Sequence, residues 1–93
     1  MATNITAQIM ELDGGVWDAN GFSSRPSGAQ RRVYLEQMVD ALNAAGISPS
    51  QITERVIYEL EDENYHSAIS ALDVFVGNTT IDDLMEREKQ LGY

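Results

Sequence analysis

Four of the five residues in Glu59-Leu60-Glu61-Asp62-Glu63 carry carboxylates, and a histidine follows three positions after the last of them, as Glu63-x-x-His66. Two chemistries suit such a pattern. Successive helical residues point about 100° apart, so the acidic run spreads around a helix and can imitate the phosphate spacing of a nucleic acid. A glutamate and a histidine three apart on one helix can instead share a metal ion. Glu59 lies one turn before Glu63 on that face, and Glu36 projects from the preceding long helix.

The carboxylate-array reading makes Glu59, Glu61, Asp62 and Glu63 the centre of a partner-binding surface. Asp82, Asp83 and Glu86 would widen it, together with Glu88, and Tyr58 or Tyr65 would supply an aromatic anchor. Such a surface fits the basic, nucleic-acid-binding face of another protein. In composition the chain resembles the small acidic inhibitors that phages make against host defence or transcription systems, which implies an anti-defence type of inhibitor or regulator. The metal reading is similar, through Glu36, Glu63 and His66, to short helical-hairpin members of the ferritin-like carboxylate group. That resemblance implies a homodimer closing an iron or manganese site on a two-fold axis. It requires one unbroken helix through Asn64. A structural or assembly subunit, associating through apolar helix faces, is the third alternative.

Other chemistry finds little support. With one histidine, a Ser-His-Asp arrangement would need His66 beside Ser23, Ser24 or Ser70, and none of these lies in a nucleophile-elbow sequence. Residues 13–21 lack the alternating ligands and closing glutamate of an EF-hand loop. No phosphate-binding Gly-Lys-Ser/Thr loop is present, and the Asp-Ser-Leu attachment motif of the acyl carrier proteins, which are also small and acidic, is missing. Neither catalysis nor a resident cofactor is expected.

Charge and length frame these readings. The 93 residues carry a net charge of −9, with three arginines against five acids in residues 1–45 and three cations against ten acids in residues 46–93. An acidic pole repels phosphate backbones and anionic membranes, so direct nucleic-acid or membrane binding is disfavoured and basic protein partners are favoured. Arg25, Arg31 and Arg32 could form a small basic patch that completes a polar interface or supports self-association. Alternatively, Arg32 pairs with Glu36 one turn on. A single domain over residues 1–93 is expected, burying roughly two thirds of its unfolded surface. No cysteine is present, so neither a disulfide nor a thiolate metal site can brace the fold. With no long apolar run and no basic, apolar leader at the start, a cytoplasmic protein is expected.

The elements that must position these side chains are all helices. A short first helix over residues 5–12, after an Asn4 cap, is stopped by Gly14-Gly15, with a hairpin through Asp13-Gly14-Gly15 as the competing form. Residues 16–28 read as a loop in which Trp17 and Phe22 are pinned to the core. A long helix follows, from Ser27 or Gly28 to Ala45, with Leu35, Met38, Val39, Leu42 and Ala45 as its buried stripe and Gly46 as its stop. Ser48-Pro49 opens the next helix, with Ile52, Val56, Ile57 and Leu60 facing inward. A break at 62–64 is favoured over continuity, with Asn64 capping a nearly apolar helix over residues 65–76. Gly77 ends that segment. Thr79 or Thr80 then caps a last helix whose stripe is Ile81, Leu84, Met85 and Leu91. The architecture expected is an all-α, compact bundle of four to five short helices.

Overall fold

A computed structural model of the chain describes residues 4–23, 25–26 and 28–91. Five α-helices and one 3-10 turn account for its regular structure, and there are no strands among the described residues. They are α1 (Asn4–Asn20), α2 (Ala29–Ala44), the 3-10 turn Pro49–Gln51, α3 (Glu54–Asp62), α4 (His66–Phe75) and α5 (Ile81–Gln90). The protein is an all-α bundle. Helix α2 packs mainly on α4 and α1, α3 leans on α4 and α1, and α5 rests on α2.

Helix α1 is longer than its sequence suggests. Gly14-Gly15 lies inside it rather than at its end, which rules out both the early stop and the hairpin, and Asn4 is its first residue rather than its cap. The helix persists because Thr6, Ile9, Asp13 and Val16 recur at alternating three- and four-residue spacing and are all buried. Trp17 therefore sits on a helix, not in a loop. It is pinned as expected, meeting Phe22 edge-on at 5.9 Å and Tyr34 at 5.8 Å between ring centroids. Neither Gly14 nor Gly15 has a positive φ, and an added Cβ would meet nothing within 4 Å. Alanine at either position should therefore stabilise the protein by about 0.5–1 kcal/mol. A urea midpoint that rises at unchanged slope is the expected result. A fall would mean that α1 is interrupted there.

Three helices end in the same way. In α2, α3 and α4 a left-handed residue follows the last turn, at Gly46 (φ 76°), Asn64 (φ 64°) and Gly77 (φ 88°). The amide after each reaches back to a carbonyl five residues earlier: Ile47 to Leu42, Tyr65 to Leu60, and Asn78 to Asp73. The left-handed residues add bonds to Asn43, Glu61 and Val74, completing three Schellman motifs. Asn64 thus terminates α3 and does not cap α4. The helix start after Ser48 also differs from expectation. Ser48 and Gln51 form a capping box around only a 3-10 turn, and a second start, with the Thr53 side chain accepting from the Val56 amide, opens α3. Thr80 caps α5.

The core gathers Ile9, Leu35, Met38, Leu42, Leu60 and Leu72, all fully buried. Of the stripe expected on α2, Val39 is half-buried and Ala45 exposed, while Tyr34 is sealed from solvent. Helix α4 is the most covered element: His66 alone of its ten residues is exposed. Leu91 does not join the α5 stripe and is 69% exposed.

Candidate functional site

The acidic run divides into an inward and an outward part. Glu59 turns inward, with a side chain only 13% exposed, accepting a 2.6 Å hydrogen bond from Thr6 on α1 and lying 3.6 Å from Arg55. It ties α3 to α1, and its expected place on a partner surface is corrected accordingly. Glu61, Asp62 and Glu63 are exposed at the last turn and cap of α3. Tyr58, one turn earlier, is 68% exposed. Tyr65 is half-buried against the core and is no free anchor.

The arginines of α2 are spent on α5. Arg31, 11% exposed, donates to Glu88 Oε1 at 2.9 and 3.1 Å and to Oε2 at 3.4 Å, and also donates to Ser67 at 2.9 Å. Arg32 pairs with Asp82 at 2.8 Å, not with Glu36. Of the basic patch considered from the sequence, Arg31 is held inside by Glu88 and Ser67, Arg32 pairs with Asp82 at the surface, and Arg25 is exposed. Asp83 and Glu86 remain exposed on α5, but that helix packs chiefly on α2 whereas α3 packs on α4 and α1. Asp82, Asp83 and Glu86 thus belong to a different support from the α3 acids.

The break at Asn64 removes the geometry that a shared metal needs. Glu63 caps the C-terminus of α3 and His66 opens α4, so the two no longer stand one turn apart on a single helix. Glu36 is exposed on α2, and no three metal-ligating side chains converge among the described residues. The alternative site of Glu36, Glu63 and His66 is corrected on that ground. Ser70 donates its hydroxyl to the His66 carbonyl, a local helix bond, and Ser24 and Ser27 lie outside the described residues.

Beside the acidic end of α3 the fold opens a groove of about 410 Å³. One wall is Pro49, Ile52 and Thr53, and a second is Ile57 and Tyr58 of α3. Leu72 and Val76 close it from the side of α4. Three carboxylates edge this apolar trough, Glu54, Glu61 and Asp73, and no basic side chain is among its described lining residues. Glu61 belongs both to the groove and to the exposed acidic end, making one continuous feature of the two. Glu54 and Asp73 were not singled out from the sequence. The available signals were Thr53-Glu54, a helix start in its own right, and an acid on an otherwise apolar α4.

No protein-family model, curated protein or solved structure matches the chain.

Proposed function

We propose that the protein is a binding module whose acidic α3 end occupies a basic surface of a partner protein, most concretely the nucleic-acid-binding face of a protein it inhibits or regulates. One observation carries this reading. Glu61, Asp62 and Glu63 are exposed at a helix C-terminus, where the backbone dipole already presents negative charge, and none has an ion-pair partner among the described residues. Stability alone favours cations at that end; acids there cost free energy that contact with a basic partner would recover.

That cost gives the reading a two-sided test. The double charge reversal E61K/D62K should raise stability by about 0.3–1 kcal/mol per site, because lysine suits the end of a helix. The same variant should lose the partner. Affinity capture from a cell extract at low and high salt, read by mass spectrometry, is expected to return a nucleic-acid-binding protein that wild type holds at low salt and releases at high salt. Retention of that partner by E61K/D62K would overturn the reading.

A further inference from the structure

We infer that the groove between the 3-10 turn, α3 and the end of α4 seats a basic amphipathic segment of the partner, with apolar side chains in the trough and flanking lysines or arginines on its rim. The inference rests on the reading of the partner as a basic protein and adds what an acidic surface alone does not supply, a defined apolar anchor point. Three features carry it. The trough is lined by aliphatic side chains, Ile52, Ile57 and Val76 among them, and its size falls within the roughly 300–1,000 Å³ of ligand pockets. Its rim acids, Glu54, Glu61 and Asp73, stand on both sides of the trough, so cations flanking a buried side chain would meet carboxylates on either side. At its edge Tyr58 is a large aromatic 68% exposed, while the other aromatics in or against the core, Trp17, Phe22, Tyr34, Tyr65 and Phe75, are at least half-covered. An exposed aromatic beside an apolar trough with a charged rim has the makings of a binding hot spot. An amphipathic helix laid into such a groove is a recurrent mode of recognition.

The test uses the whole protein, isotope-labelled, titrated with a short amphipathic peptide of lysine and leucine at helical spacing and with a counterpart in which serine replaces leucine. The lysine-leucine peptide is expected to shift the amide resonances of Ile52, Ile57, Tyr58 and Val76, and Tyr58→Ala should weaken it about tenfold. Because Tyr58 is exposed, that variant keeps its fold, which its own spectrum verifies. Equal binding of the two peptides, or shifts confined to Asp62 and Glu63, would overturn the groove while leaving the acidic-surface reading intact. So would a natural partner lost by D62K/E63K but held unchanged by Tyr58→Ala. The chain offers an occupant of its own, the exposed Leu91, which follows Arg87 and Lys89 at the end of α5. A concentration-dependent oligomer abolished by Leu91→Ser, with no peptide binding to the monomer, would assign the groove to a second copy and overturn the inference.

Discussion

Leu72→Ala is expected to remove about 2–5 kcal/mol of folding stability. The side chain is fully buried on α4, the helix that packs on α2, α3 and α1 at once, so the cavity left by truncation cannot be closed by moving one neighbour. Folded domains hold only about 5–15 kcal/mol in reserve, and one of 93 residues has little apolar area to spare. Urea denaturation should show the midpoint falling sharply. A loss below about 1 kcal/mol would mean that α4 is not the central packing element. Leu72 also lies beneath the groove, so a variant that remains folded should bind apolar peptide poorly as well.

Tyr34→Phe should be the next most costly change, and its cost should depend on pH. The Tyr34 hydroxyl is fully buried and donates to Asp13, which also accepts from the Trp17 indole at 3.3 Å. Burial raises the Asp13 carboxyl above its ordinary range, with the two hydrogen bonds pulling it partly back, while burial and the adjacent carboxylate push the Tyr34 phenol up. A raised carboxyl means that the folded state binds its proton more tightly than the unfolded chain does. Asp13 therefore contributes most below its unfolded value of about 3.9, and that contribution drains away as pH rises through the higher folded value. Removing the hydroxyl raises the folded value further, so the penalty grows with pH. We expect about 0.5–1.5 kcal/mol while Asp13 is protonated and about 1.5–3 kcal/mol once it is ionised. Paired denaturation curves for wild type and variant, taken from below the free carboxyl value up into the alkaline range, measure the difference, and other carboxylates cancel. A penalty independent of pH would show that Asp13 is not the hydroxyl's partner.

The same pair explains what the sequence concealed. Apolar periodicity located α2, α3, α4 and α5, and the polar stretch at 62–64 marked the break before α4; α2, α3 and α4 end on Gly46, Asn64 and Gly77. It failed on α1. There the buried face carries Thr6 and Asp13, whose partners Glu59 and Tyr34 lie far along the chain, so a polar residue on that face looks like an exposed one until the fold supplies its hydrogen bond. Two adjacent glycines then read as a stop, although α1 is held by contacts with α2 and α3 that outweigh the glycine penalty.

The site was half legible. Local sequence placed Tyr58, Glu61, Asp62 and Glu63 together because they share about one helical turn. It could not show that Glu59 points inward or that Asp82 and Glu88 answer Arg32 and Arg31, since those pairings bridge separate helices. The groove was hidden for the same reason. Its walls come from a 3-10 turn, α3 and α4, and Glu54 and Asp73 become neighbours only when those elements pack.

The attachment of α5 bears on how the molecule opens. Leu84 is its one buried residue among those described, Ile81 and Met85 pack half-buried against the core, and two ion pairs, Arg31–Glu88 and Arg32–Asp82, add to the hold. The second of these pairs faces water and is weak, leaving the Arg31 fork and the apolar contacts of Ile81, Leu84 and Met85 as the main fastening. Free energies of local opening need not be uniform in a folded chain, and an element with so little buried surface lies at the low end. Helix α5 can therefore detach as a unit while α1 to α4 keep their common core, giving a partly opened state in which Arg31, Arg32 and Ser67 are uncovered together.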